Sequence, residues 1–429
     1  MKRLRDNKVR VLLFGYNGEN NTGSESRLVT IVEDVRKTLG EYGELELVAI
    51  ALSEENVRRY LKDPKVRIIE LGTSWPIGVK WIPKVLGLVL ARYDLLILVE
   101  GSTFTDHFSS FLLYSYLFGT LLAKPVDCKV VAYAVDCGDL KPLNQKFTKW
   151  IANKMDLLIT RSYDARDKLK RYGVTKEVFV TTDTAFQYKP PGEDYTNDLL
   201  RKLNLDPKRP LIGFAPKEFF WWPVTIRFFG PKEDLYRYPY YHTWGRKDRE
   251  NSEKVKKEFA KYADYCIKEH NANLLIFCME RMDYPPSKDV YELMEYKDRA
   301  RLIPSNDYNL KDITGLLSKL KFLTSTRYHA CVLSMVSSIP MISVSHDVRC
   351  ESLFKETEIM EYYIPHTTEN LYQTMVEKTK LLVKNEEEVK TKVKSAYPKF
   401  LDRCLQNRQL LKGWFEKTFE VRGGKYCLV

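Results

Sequence analysis

The densest concentration of reactive side chains falls in FLTSTRYHACVLSM, residues 322–335, followed by IPMISVSHDVRCESLF at 339–354. Arg327 and His329 come after a short apolar run and open a stretch with helical spacing. A guanidinium, an imidazole and the free N–H groups of a helix start can therefore converge on one anion, and the imidazole can shuttle a proton near neutral pH. Arg327 and His329 are the candidate catalytic residues. A lone histidine is more often structural, but its pairing with an arginine at a strand end makes the functional reading at least as good. His346, Asp347 and Arg349 repeat the placement one strand later, and Asp347 is a candidate substrate-binding residue.

Three other loops leave apolar runs and enter helical ones, where open α/β sheets bind ligands. GYNGENNTGSESRL, residues 15–28, offers Asn17, Asn21, Gly23 and Ser24 in a glycine-bearing turn that lets backbone approach an oxyanion. Its spacing is neither that of a dinucleotide fingerprint nor that of a P-loop, and a turn of this composition needs no ligand. EGSTFTDHFSS, residues 100–110, brings Glu100, Gly101, Ser102, Asp106 and His107 together for acid–base work or for holding sugar hydroxyls; the alternative is a helix cap. In LLITRSYDARDKLKRYGV, residues 157–174, Arg161 falls where a guanidinium can grip a carboxylate or phosphate with two parallel bonds. Asp183 in the following VTTDTAF is expected to orient a hinge and need not touch a substrate.

The elements that must position these loops alternate along the chain. Strand-like runs at 10–15, 45–51, 66–71, 95–99, 129–135, 157–160 and 178–181 are separated by helical spacing, the pattern of parallel strands with crossover helices. Residues 187–210, polar and punctuated by proline, read as a linker. A second alternating series follows, with strands at 211–215, 273–278, 301–303, 322–324 and 341–344. The expected fold class is α/β, with an N-terminal Rossmann-like domain at 1–186 and a C-terminal one at 211–385 facing it across a cleft. Residues 386–429 form a helical segment expected to cross back to the first domain. Between them, residues 217–246 read as a long loop rich in Trp and Tyr, able to stack on sugars, meet a lipid surface, or fold as an insertion with its own small core.

At 429 residues the chain exceeds one ordinary core, in keeping with two domains. The formal charge of +12 is spread along the sequence without a basic run or a recognisable nucleic-acid module, so anionic small molecules fit it better than nucleic acid. The eight cysteines show neither a CxxC pair nor zinc spacing and are expected as reduced thiols; no metal site is expected. The longest apolar stretch, 111–123, is too short to span a bilayer, and the basic start lacks a secretory pattern. A cytoplasmic protein is expected, with peripheral attachment at the inner face of the membrane left open.

Taken in order, GYNGENNTGSES, EGSTFTDHF, TRSYDARDKLKRYGV with VTTDTAF, and STRYHACVLSMVSSIPMISVSHDV resemble the polysaccharide pyruvyl transferase family over roughly residues 10–355. The resemblance implies a fold similar to GT-B and transfer of a pyruvyl group from phosphoenolpyruvate to a sugar hydroxyl pair of a cell-surface glycan or glycolipid precursor, forming a ketal. It implies donor binding and proton transfer by Arg327 and His329, a family arginine at Arg161, and no cofactor besides the donor. Two positions depart from the family pattern: Glu100 in the glycine-rich turn, and Ser24 where the family has Asp. The competing readings are a GT-B glycosyltransferase using a nucleotide-sugar and a non-catalytic glycan- or membrane-associated module.

Overall fold

The computed structural model describes residues 2–4, 8–71, 87, 91, 93–106, 110–218, 224–237 and 240–420. The apolar runs of the first half become β1 Lys8–Asn17, β2 Glu44–Ala51, β3 Val66–Glu70, β4 Leu95–Leu98, β5 Lys129–Val135, β6 Leu157–Thr160 and β7 Phe179–Val180. They pair in the order β3-β2-β1-β4-β5-β6-β7, every pair parallel. All four residues of β4, LLIL, are buried, because helices cover both faces of a parallel sheet. Alternate side chains feed two apolar layers. Leu12, Val48, Leu96 and Val130 pack with α3 Ser110–Ala123, and Val11, Leu47, Ile97 and Val131 pack with α1 Thr22–Leu39. Helices α2 Glu54–Arg58, α4 Pro142–Ala152 and α5 Tyr163–Arg171 complete the crossovers described.

The second half repeats the design. Its parallel sheet uses β8 Leu211–Ala215, β12 Asn273–Cys278, β13 Ala300–Pro304, β14 Phe322–Ser325, β15 Met341–Ser345 and β16 Tyr363–Pro365, in the order β13-β12-β8-β14-β15-β16. Its helices are α6 Glu193–Lys202, α7 Arg246–Glu269, α8 Tyr284–Leu293, α9 Leu310–Leu317, α10 Tyr328–Met335, α11 Val348–Glu356, α12 Leu371–Lys384 and α13 Glu386–Thr418. In each sheet the first strand has its successor on one side and the fourth strand on the other. That reversal opens a crevice at the carboxyl ends of β1 and β4, and of β8 and β14. Two Rossmann-like domains of the GT-B type thus present their switch points to one cleft.

Two stretches carry more regular structure than a linker and an open loop would, the second in keeping with its folded-insertion alternative. The supposed linker 187–210 contains α6, whose Leu199 and Leu200 pack on the second core; the amphipathic spacing was hidden by polar and proline-rich flanks. The aromatic stretch read as a loop contains β9 Val224–Ile226, β10 Leu235–Arg237 and β11 Tyr240–His242, an antiparallel sheet with β11 central, as its β-branched and tyrosine residues favour. Trp221 and Trp222 lie outside the described residues.

Helix α13 serves both cores. Val389, Val393 and Phe400 belong to the second, whereas Leu411 and Phe415 belong to the first. Between them Asn407 accepts from Thr181 Oγ1 at 2.7 Å and donates to the Thr182 carbonyl at 3.2 Å, fixing the crossing point. The domains also meet beside α1, where Thr22 N donates to the Met279 carbonyl at 2.9 Å and Leu310 N donates to Glu25 Oε2 at 3.1 Å. Among the described residues, no helix is long and apolar enough to cross a membrane.

Candidate active site

The cleft is lined by residues that follow β1, β4 and β6 in the first domain and β8, β12, β14 and β15 in the second. Asn21 caps α1 by accepting from Ser24 N at 3.0 Å, and its Nδ2 donates across the cleft to Glu280 Oε2 at 2.6 Å. Gly23 sits in the first turn of α1 because a Cβ there would come within 2.2 Å of His329 Nδ1. The imidazole rests directly on helix backbone. Gly101 makes the same room for Arg161, whose Nη1 would be 2.5 Å from an added Cβ.

Behind these glycines lies a knot centred on the fully buried Asp183. Its carboxylate meets Arg161 Nη1 at 2.5 Å, Arg27 Nη1 at 3.2 Å and His329 Nε2 at 3.5 Å, the last within ionic reach but not aligned as a hydrogen bond. Arg161 turns Nε and Nη2 to Asp136 at 3.1 and 2.8 Å. Burial pushes Asp183 upward, but Arg27, Arg161 and His329 together outweigh it and hold the carboxyl well below the usual range. For His329 burial dominates and lowers its pKa below 6.5; Asp183 opposes the shift, while Arg161 and Arg349 add to it. The imidazole is therefore neutral at pH 7.

The opposite wall is built around Arg327, the residue that precedes α10. Its Nη2 donates to both Glu280 and Asp283. Lys217, buried just beyond β8, is driven by burial and then by Arg327 from 10.5 down to about 7, against the pull of Glu280, Asp283 and Asp347. Burial raises Asp283 to about 6, with Arg327 opposing and Glu280 reinforcing. Glu280 stays below its ordinary value because Arg327 and Lys217 overcome its burial. Asp347 caps α11 by accepting from Arg349 N at 3.0 Å, and it binds the Arg349 side chain through Nη2 at 2.5 Å. The Arg349 guanidinium lies 5.0 Å from the Tyr328 ring and is the most open of the four cleft arginines, 27% exposed against 15% for Arg327, 3% for Arg161 and 2% for Arg27.

A neutral imidazole, a buried amine that titrates near neutrality and two reachable guanidiniums can bind an anion and move a proton. A model of the polysaccharide pyruvyl transferase family matches residues 21–348, most of the chain. The chain belongs to that family. Comparison with curated proteins returns no significant match. Among solved structures, a putative UDP-N-acetylglucosamine 2-epimerase from Listeria monocytogenes is similar at 15% identity and TM-score 0.59, covering 97% of this chain and 98% of its own. A glycosyltransferase from Rickettsia africae is similar at 12% identity and TM-score 0.57, with 96% and 99% covered. The UDP-N-acetylglucosamine 2-epimerase of Neisseria meningitidis, solved with UDP-GlcNAc, is similar at 12% identity and TM-score 0.54, with 93% and 100% covered. These likenesses establish the GT-B frame.

Within the cleft the structure gathers Asn21, Gly23, Ser24, Gly101, Ser102, Arg161, Arg327, His329 and Asp347. It does not gather the rest. Asn17 is buried at the end of β1, donating to the Ile50 carbonyl at 2.9 Å, and so holds the turn between strands. Asp106 accepts from Lys141 N at 2.9 Å and from Asn144 Nδ2 at 2.5 Å, which makes it the anchor of α4. His107 lies outside the described residues. Arg161 lines the cleft with its guanidinium engaged by Asp136 and Asp183, so in this arrangement it braces the site. Asp183, read as a hinge residue, is the centre of that brace. Lys217, Glu280 and Asp283 were missed. The available signal was their place just after the apolar strands LIGFA and NLLIFC, at the carboxyl ends where such sheets bind ligands.

Proposed function

We propose that this transferase moves a pyruvyl group from phosphoenolpyruvate to two hydroxyls of a glycan or glycolipid precursor. The observation that carries the reading is the placement of His329, pressed on the Gly23 backbone, backed by Asp183 and sharing the cleft with Arg327 and Arg349, in a chain of this family. The donor brings a carboxylate and a phosphate. Arg349 exchanges Asp347 for one of them, and Arg327 meets the other. Their negative charge reverses the depression of His329, which gains a proton and passes it to the donor's methylene carbon.

The proton converts the methylene to a methyl group and leaves C2 electron-poor. One sugar oxygen bonds to C2 and loses its proton; the C2–O bond to phosphate breaks; the second sugar oxygen bonds to C2 and loses its proton, closing the ketal. One of the two protons released replaces that spent at carbon, and the other leaves with phosphate. Of the three general-base candidates from sequence, Glu100 lines the cleft, with Oε2 3.4 Å from Ser24 Oγ. The reading needs no cofactor and no essential metal, and it places the enzyme in the cytoplasm, where phosphoenolpyruvate is available.

Calorimetric titration of phosphoenolpyruvate and of UDP-GlcNAc into the purified protein tests it. Phosphoenolpyruvate should bind, Arg327→Ala should weaken it by about tenfold or more, and a glycan panel should release phosphate. Binding of the nucleotide-sugar alone would favour a glycosyltransferase, and glycan binding without either donor would favour a non-catalytic module.

A further inference from the structure

Helix α4 has a face that the cleft chemistry does not use. Leu143, Phe147 and Trp150 follow one another at helical spacing and are 59%, 39% and 50% exposed, while Asn144, Thr148, Ile151 and Ala152 on the other side are buried. A surface helix ordinarily turns polar residues outward; this one turns its largest apolar ones. Lys141, Lys146, Lys149 and Lys154 are all exposed around that stripe, and residues 141–154 contain no Asp or Glu. The Lys154 ammonium lies 5.4 Å from the Trp150 ring centre. The adjoining α3 carries no charged residue in its 14 positions, and its Tyr114 packs edge-on against Phe147 at 5.9 Å.

The helix is held firmly. Asp106 receives Lys141 N and Asn144 Nδ2, and the Tyr114 hydroxyl donates to Asn144 Oδ1 at 2.6 Å. It also begins a few residues after Asp136, which binds Arg161 at the end of β6. A fixed apolar stripe framed by lysines is therefore presented to solvent.

We propose that α4 docks the protein on an anionic lipid bilayer, with Leu143, Phe147 and Trp150 in the interfacial layer and the four lysines against headgroup phosphates. Charge complementarity selects this occupant. Apolar and aromatic side chains flanked by Lys match the headgroup boundary, and each lysine gains from a negative surface. A second copy of the chain fits less well, because a two-fold contact centred on this helix would bring the lysine cluster toward its own image. The proposal does not depend on the pyruvyl-transfer reading.

Flotation of the full-length protein with vesicles tests it. Wild type should float with vesicles of three parts phosphatidylcholine to one part phosphatidylglycerol and stay behind with pure phosphatidylcholine. Leu143→Ser/Trp150→Ser and, separately, Lys146→Glu/Lys149→Glu should each lower the bound fraction by about tenfold or more, with unchanged circular dichroism and an unchanged urea-unfolding midpoint. Lys146→Arg/Lys149→Arg should float like wild type. Failure of wild type to float with the anionic vesicles overturns the proposal, as does undiminished flotation of both disruptive variants. A dimer in solution that Leu143→Ser/Trp150→Ser converts to monomer, without vesicle binding, would assign the face to a second copy instead.

Discussion

The two charged knots that flank the cleft are built to opposite ratios. Around Asp183, two guanidiniums share one fully buried carboxylate, with Asp136 holding the far side of Arg161. Around Arg327, two carboxylates share one guanidinium, with Lys217 close by. The first knot keeps Asp183 far from its titration range, so it stays charged and fixed. The second contains groups displaced to about 6 and about 7, so it can gain or lose a proton where the enzyme works. One knot holds fixed charge behind His329 and the other titrates.

The comparison breaks most decisively at Asp183. Asp183→Asn leaves Arg27 buried with an uncharged partner and Arg161 with Asp136 alone, a loss on the order of 3–5 kcal/mol. Urea unfolding should register it, together with near-complete loss of phosphate release. An unchanged unfolding midpoint would mean that the knot is not structural. Next comes His329→Gln, which keeps a polar side chain of similar reach and removes the proton shuttle. Phosphate release should drop roughly 10²–10⁴-fold with phosphoenolpyruvate affinity nearly intact; equal loss of affinity and rate would instead make His329 a binding group.

On the titrating wall, Lys217→Met should lower kcat/KM by roughly 10- to 100-fold and remove an inflection near pH 7 from its pH profile. Stability supplies a second readout. The folded amine titrates at about 7 and the unfolded one near 10.5, so between those values the unfolded chain binds the extra proton and stability rises with pH. Lys217→Met should flatten that rise in melting curves. A profile identical to wild type in both measurements would remove Lys217 from the titrating wall.

This division of labour was only partly legible in the sequence. Apolar runs such as LLIL and LLIFC mark strands buried on both faces, and loops after them can be named without coordinates. Arg327 and His329 were readable because two residues of one turn carry their own context. The Asp183 knot was not, since it joins a helix interior at Arg27, a strand end at Arg161 and a domain exit at Asp183, and only the sheet order makes them neighbours. Asp106 stood between two readings for a related reason. A carboxylate that anchors a helix and one that takes a proton look alike until their partners are known, and here the partners are Lys141 N and Asn144.

A smaller effect sharpens the contrast from outside both knots. Glu25 is buried where the domains meet, with Oε2 receiving Leu310 N and Oε1 unpartnered among the described residues. Burial pushes it from 4.5 to about 8, with Arg59 and the Leu310 amide pulling back and Asp312 reinforcing. The folded chain thus holds a proton that the unfolded chain has released between those values. Its stabilising contribution is complete below about pH 4.5 and is lost as pH rises through 8. Glu25→Gln keeps an acceptor for Leu310 N without the ionisation. Its melting temperature should match wild type near about pH 5 and exceed it by several degrees at about pH 9, a difference of order a few kcal/mol at most. Parallel melting curves across that range would show that the domain contact does not titrate. Divergence would put a second pH sensitivity in a contact separate from the Lys217 wall, with stability falling between about 4.5 and 8 through Glu25 and rising between about 7 and 10.5 through Lys217, so that the two substitutions remove pH dependences of opposite sign that overlap only near pH 7–8.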